Sequence, residues 1–202
     1  MGSIDIALPG KILLITGGAS GIGLSLTKKS YDLGARVLVA DIQTTPEFDS
    51  FAAGEDNIVY VHADVTRWPD FMKLFDTCER KWNDVPDAYA ICAGVFGPDF
   101  SNFWLDTEDE GYKQVEIYVS HPIKLTRLAI KKSLGKGKRA SVCIIVSEMV
   151  FHVPFAYDLA DPSQQASIAG LAGNLAAPLY CATKHAMVYI LNNTLQDNWL
   201  TY

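Results

Sequence analysis

Thr16-Gly17-Gly18-Ala19-Ser20-Gly21-Ile22-Gly23 lies between an apolar run, Ile12-Leu13-Leu14-Ile15, and an amphipathic segment from Leu24 to Leu33 that Gly34 closes. The run reads as a buried strand and the segment as a helix. Glycine suits the turn between them: a chain reversing tightly onto a helix start uses positive φ, and a diphosphate can approach the backbone only where no Cβ intervenes. The helix N-terminus then offers unpaired N–H groups and the positive end of its dipole to the anion. A glycine-rich connection without a ligand is the competing reading, and the strand-to-helix context weighs against it. On this reading Gly17, Ser20, Gly21, Ile22 and Gly23 form a phosphate cradle.

Arg36-Val37-Leu38-Val39-Ala40 reads as the next strand, ended by Asp41, 18 residues after Gly23. That is close to the spacing at which an acidic side chain grips both ribose hydroxyls of a dinucleotide. A carboxylate there would repel a 2′-phosphate, and neither Gly18-Ala19-Ser20 nor Ile42 supplies a base to offset it. NAD is therefore expected over NADP. An aspartate that merely caps the following turn is the alternative.

At 202 residues, 49% hydrophobic and 20% charged, the chain suits one α/β domain with a substantial core. A net charge of −6 argues against a nucleic-acid partner, and Lys136-Gly137-Lys138-Arg139 reads as a solvated turn. No apolar run reaches membrane-spanning length and the first residues lack a signal pattern, so no membrane association and a cytoplasmic location are expected. Cys78, Cys92, Cys143 and Cys181 show no metal-ligand spacing and read as reduced core thiols.

Strand and helix signals alternate along the chain. Residues 57–61 read as a third strand running into Asp64-Val65, after which Thr66 can cap a helix to about Trp82 with Pro69 in its first turn. Residues 88–92 read as a fourth strand, followed by Ala93-Gly94, where small residues let the backbone lie against a flat ring. Thr107-Glu108-Asp109-Glu110 reads as a capping box opening a long helix to about Ser133. Residues 141–146 read as a fifth strand, apolar on both faces and so central. The pattern predicts a Rossmann-like, doubly wound parallel sheet in three layers. From Pro178 a further helix carries Tyr180 and Lys184, whose i, i+4 spacing puts phenol and ammonium on one face. An ammonium beside a phenol favours phenolate, so such a tyrosine can take or give a proton near neutral pH.

With these residues together, residues 10–187 resemble a short-chain dehydrogenase/reductase: the Thr-Gly-x-x-x-Gly-Ile-Gly turn at 16–23, Asp41, Asp64-Val65, Cys92-Ala93-Gly94 in place of Asn-Ala-Gly, and Tyr180-x-x-x-Lys184. Asp41 and the segment Ser167-Ile168-Ala169-Gly170-Leu171 are similar to the NAD-dependent branch that includes 15-hydroxyprostaglandin dehydrogenase-like enzymes. The resemblance implies hydride transfer between NAD(H) and a secondary alcohol or ketone, with Tyr180 as acid/base and Lys184 assisting its ionisation and holding the ribose. It also implies Asp64 and Val65 at the adenine, Ala93 and Gly94 beside the cofactor, a serine polarising the carbonyl, and a homodimer through the long helix and the Tyr180 helix. A catalytically inactive nucleotide-binding or interaction protein is the other reading.

The chain departs from the family's pattern in three places. The family's serine ends strand five about a dozen residues before the tyrosine; here Ser147 lies 33 residues before Tyr180 and Ser167 lies 13 before it. Residues 148–166 are read as an insertion of 19 residues, with Ser167 the catalytic choice and Ser147 its alternative. Tyr118 stands where the family has an Asn of its proton relay, although Pro122 leaves the Tyr118 carbonyl without an N–H partner. Finally, the last strands of the fold, about 50 residues or more, are missing, which would leave residues 141–146 as an edge that invites association. Insertion and tail together fit retained intron sequence in a variant of a longer enzyme, or else a genuine loop and an evolved terminus.

Overall fold

The computed structural model describes residues 7–95, 111–144 and 178–194. These fall into two compact units, one bounded by Met1–Gly94 and His121–Ile145, the other by Val95–Ser120 and Val146–Tyr202.

The first unit holds a parallel sheet of five described strands: β1 (Ile12–Thr16), β2 (Arg36–Asp41), β3 (Ile58–His62), β4 (Ala88–Ile91) and β5 (Ser141–Ile144), in the order β3-β2-β1-β4-β5. β1 is buried at every position because it pairs on both sides, Leu14 facing Leu38 in β2 and Tyr89 in β4. Each of its two faces is covered by helices. On one side Leu13, Ile15, Val37 and Val39 meet Leu24 of α1 (Gly21–Asp32) and Phe48 of α2 (Pro46–Ala52). On the other Ile12, Leu14, Leu38 and Tyr89 meet Phe71, Leu74 and Phe75 of α3 (Trp68–Trp82) and Leu125 and Ala129 of α5 (His121–Gly135). This is the three-layer, doubly wound architecture that the sequence predicts. Its order reverses beside β1, where β4 returns on the side opposite β2, and in open α/β sheets a ligand crevice lies at such a point.

Three local expectations change. Thr66 does not cap α3. Its N–H and hydroxyl both donate to Asp64 Oδ1, at 2.9 and 2.8 Å, and the helix begins at Trp68 with Arg67 as its cap residue. Asx-turn geometry at Asp64 competes here with the helix start. The turn at 136–139 is solvated at Lys136, Gly137 and Arg139, but Lys138 is half-buried, its ammonium 2.8 Å from Asp84 and 3.0 Å from Asp87 and donating also to the Val85 carbonyl. Asp87 Oδ2 in turn accepts from Ile12 N, so a basic turn residue ties the start of β5 to that of β1. β5 is not buried on both faces, and Cys143 is not a core thiol: Ser141 and Cys143 are exposed while Val142 and Ile144 pack on the α3/α5 side, and among the described residues β4 is its one partner.

The second unit contributes a single helical turn α4 (Lys113–Val115), a π-helical turn (Glu116–Ser120) and α6 (Pro178–Thr194). The π turn stands where the sequence removes a hydrogen bond. Pro122 has no N–H for the Tyr118 carbonyl, and a helix relieves such a defect by widening. The expected cap at Thr107–Glu110 lies outside the described residues, as do Ser147, residues 148–166 and the tail beyond Thr194.

Candidate functional site

In the first unit the glycine turn is held by packing that admits no side chain at two positions. Gly17 has φ +66°, and a Cβ there would lie 2.6 Å from the Ala93 Cα. The turns after β1 and β4 thus touch backbone to backbone, joined by a hydrogen bond from Cys92 N to the Thr16 carbonyl at 3.1 Å. A Cβ on Gly23 would come within 2.0 Å of the Gly17 carbonyl oxygen. Gly21 differs: its φ is +50°, yet among the described residues nothing lies within 4 Å of where a Cβ would be. It needs glycine for its backbone, and the space in front of it is open.

α1 starts at Gly21 with Ser20 as cap residue in extended conformation, its hydroxyl making no cap bond. The N–H groups of Gly21, Ile22 and Gly23 therefore open the helix without intrahelical acceptors. Ser20, Gly21 and Ile22 are exposed, Ile22 at 61%. An open, positively polarised helix start behind a turn that cannot carry side chains fits a diphosphate. Sequence reasoning missed the braces around it. Thr27 Oγ1 lies within hydrogen-bond distance of both the Gly18 and Gly23 carbonyls, and Thr45 Oγ1 donates to the Ala19 carbonyl while accepting from Phe48 N to cap α2. Thr45-Pro46, a cap residue followed by proline at the first helical position, is a signal that could have revealed α2.

Asp41 sits at the end of β2 with its carboxylate turned to the glycine turn. Oδ2 accepts from Ala19 N at 3.1 Å and Oδ1 from Ile42 N at 2.8 Å. The turn-capping alternative is thus met, and it does not compete with ribose binding, because each carboxylate oxygen has two lone pairs and these bonds use one apiece. Asp64 Oδ1 is taken by Thr66, and Asp64 N donates to the buried Asp70. Val65 is half-buried against the α3 side of the core, and Ala93 is half-buried with Gly94 exposed at the end of β4. Gly17, Ser20, Gly21, Ile22, Gly23, Asp41 and Ala93 are thus brought together at the mouth of the sheet.

The second unit holds the other predicted residues. Tyr180 and Lys184 are buried on α6, one turn apart, at 3% and 2% exposure. The Lys184 ammonium lies 5.3 Å from the Tyr180 ring centroid and 4.1 Å from that of Tyr118. Tyr118 meets Tyr180 edge to face, centroids 5.5 Å apart, and its hydroxyl donates to the Val95 carbonyl. Burial pushes Lys184 down to about 8 and, with Tyr180 adding to it, pushes Tyr118 up to about 12. Thr183 Oγ1 donates to the main-chain carbonyl of Tyr180 and His185 Nδ1 lies 2.9 Å from that of Cys181, both contacts within α6 itself. Ser167, the expected carbonyl-polarising residue, lies outside the described residues.

Residues 11–157 match the family profile described as short chain dehydrogenase. The chain belongs to the short-chain dehydrogenase/reductase family. It is 29% identical over 192 residues to the short chain dehydrogenase/reductase dpchG of Colletotrichum higginsianum, covering 93% of this chain and 63% of that protein. It is 39% identical over 106 residues to (+)-borneol dehydrogenase 1 of Salvia officinalis, covering 52% of this chain and 40% of that one. Among solved structures, a family member from Burkholderia phymatum in complex with NAD superposes with a TM-score of 0.72 at 21% identity, covering 92% of this chain and 59% of that one. The 3-ketoacyl-(acyl-carrier-protein) reductase of Brucella melitensis, complexed with NADH, gives 0.67 at 25% identity, with coverage of 91% and 68%. The chain spans less than two thirds of the length of these first two relatives. Among the described residues no helix is long and apolar enough to cross a membrane.

Proposed function

We propose that the chain serves hydride transfer between NAD(H) and a secondary alcohol or ketone, with Tyr180 as the acid/base. The observation that carries this reading is the buried Tyr180–Lys184 pair on one face of α6, in a chain whose first unit presents an open glycine turn at a helix start. A buried ammonium beside a phenol has a destabilising cost that a purely structural helix has no reason to bear.

When bound, the nicotinamide supplies the hydride acceptor or donor. The chain's own residues do the rest. Gly21, Ile22 and Gly23 offer N–H groups to the diphosphate, Asp41 accepts from the ribose hydroxyls and disfavours a 2′-phosphate, and Asp64 and Val65 border the adenine. Ala93 and Gly94 keep side-chain bulk away from the cofactor. In the oxidative direction the Tyr180 oxygen takes the substrate's hydroxyl proton as its C–H leaves with both electrons; in reduction it returns that proton to the carbonyl oxygen. Lys184 keeps a positive charge beside that oxygen. Ser167 is the carbonyl-polarising residue of this reading, with Ser147 its alternative. Structures of relatives holding NAD or NADH support the choice of cofactor, and a relative named for borneol supports an alcohol. Self-association through α5 and α6 is part of the reading, with a dimer mass in light scattering as its expected result.

The test is NADH formation against a panel of secondary alcohols beside calorimetric titration with NAD and NADP. Wild type is expected to turn over at least one alcohol and to prefer NAD. Tyr180→Phe should lose turnover by a factor of about 10² or more while binding cofactor as before. Asp41→Ala should erase the NAD preference. Cofactor binding without any turnover would favour an inactive nucleotide-binding protein, and turnover by Tyr180→Phe would end the assignment of Tyr180.

A further inference from the structure

What faces the Lys184 ammonium is aromatic. Among the described residues no carboxylate pairs with it, and Tyr118 is the nearer of two rings, at 4.1 Å to the centroid against 5.3 Å for Tyr180. At the shorter distance an ammonium is well within the range of attraction by the negative face of a ring, and that attraction grows where water is excluded. Tyr118 is held in this place from two directions. Its hydroxyl donates to the Val95 carbonyl, and its edge-to-face contact with Tyr180 fixes the ring plane at 89° to its neighbour. Its backbone lies in the π turn, which inserts one residue more per turn than an α-helix and so sets the direction in which this side chain leaves the helix.

We propose that Tyr118 is a positioning residue for Lys184: its ring face is the seat that keeps the ammonium beside the Tyr180 phenol, and the Val95 carbonyl and the π turn hold that seat in place. The ring compensates part of what the ammonium loses by leaving water. Burial pushes Lys184 down to about 8, and the ring face works in the opposite direction by favouring the charged form. Titratable groups with described side chains on the elements packed against Lys184 are few: Tyr112 and Lys113 at α4, Glu116 and Tyr118 on the π turn, and Tyr180, Cys181 and His185 on α6 itself, which also carries Tyr189. Lys113, Glu116 and His185 are exposed, so their charges are screened, and Tyr118 is the one with a described contact to the ammonium other than Tyr180. A shift that follows the ring at 118 thus reports on that ring.

The significance for turnover rests on the reading of Tyr180 and Lys184 as the proton-transfer pair, and the experiment separates the two. In the full chain with carbon-13 at lysine Cε, the pH midpoint of the Lys184 resonance is followed by NMR, the resonance being assigned by its loss in Lys184→Met. Tyr118→Phe keeps the ring face and the π turn and gives up only the hydrogen bond to Val95, so its midpoint should stay well above that of Tyr118→Leu. Pentafluorophenylalanine at 118 has nearly the same shape with the ring's charge distribution reversed, and should lower the midpoint by about one pH unit relative to Phe, a roughly tenfold change in protonation equilibrium. Tyr118→Leu should lower it similarly. Equal midpoints for the phenylalanine and pentafluorophenylalanine proteins would overturn the proposal, as would a Phe midpoint as low as that of Leu. Where wild type turns over an alcohol, the limb of its kcat–pH profile should move with the NMR midpoint; a midpoint that moves in a protein without turnover upholds the seat and removes only the catalytic reading.

Discussion

A lysine buried to 2% exposure against two tyrosine rings destabilises the helix that carries it whenever it is charged. The sign follows from linkage. Lys184 is held at about 8 in the folded chain against an unfolded value of about 10.4. Between these values the unfolded state binds more protons, so stability rises with pH across that window, and below about 8 the full cost of the buried ammonium is present. Lys184→Met keeps the length and apolar stem and removes the charge. It should raise stability at neutral pH by about 1–3 kcal/mol, read as a higher urea midpoint with unchanged slope. The same substitution is expected to abolish any turnover, so gain in stability and loss of function should appear in one variant. Equal or lower stability of Lys184→Met would show that the ammonium is better solvated than its burial implies.

For an element, the glycine turn allows a sharper separation between fold and binding. Gly21 and Gly23 stand two residues apart in the same helix start, but a Cβ at Gly23 meets a carbonyl oxygen at 2.0 Å while one at Gly21 meets nothing within 4 Å among the described residues. Gly21→Ala carries only the backbone cost of φ +50° in an L-residue, about 1–2 kcal/mol. Its added methyl points into the open space where a diphosphate would rest, so NAD affinity should fall at least tenfold in calorimetry while the thermal transition stays cooperative. Gly23→Ala must separate the turn from its own helix, and should lower Tm by more than Gly21→Ala does. Equal Tm losses for the two variants, or unchanged NAD affinity in Gly21→Ala, would contradict this division. The π turn shows the same dependence on one residue. Pro122 could be read in the sequence as a missing donor, but only the folded chain shows that the resulting turn directs Tyr118 at Lys184.

For the whole molecule, acid is the condition that tests the ion pairs. Asp70 is buried in the first turn of α3, where Lys73 and the Asp64 N–H hold its carboxyl below the usual range. Burial works against Asp84, yet Lys138 and the Val85 N–H prevail and lower it too. A carboxyl depressed in the folded state contributes stability above its unfolded value, about 3.9, and loses it as pH falls through the folded value. The chain should therefore lose stability below about pH 4. Asp70→Asn should cost about 1–2 kcal/mol at pH 7, and its difference from wild type should narrow as pH falls below 4 in denaturant melts. A difference that is constant with pH would mean that the Asp70 charge contributes nothing to folding.

The five strands, the doubly wound class and the family are legible in the sequence alone, because strand runs, glycine spacing and Tyr180-x-x-x-Lys184 are local patterns governed by short-range rules, whereas α2 was missed. The sequence also located the glycine turn at the start of α1 and foresaw the defect at Pro122 for the same reason. Tertiary structure alone decided that Lys138 binds Asp84 and Asp87, that Asp41 reaches Ala19 N, and that Thr27 and Thr45 brace the glycine turn. It also decided that Tyr118 faces Lys184. Apart from those of Thr27, which reach only four and nine residues back, these are contacts between residues far apart in the chain, and their partners are selected by which elements the sheet order and helix packing bring side by side, information that no local pattern carries.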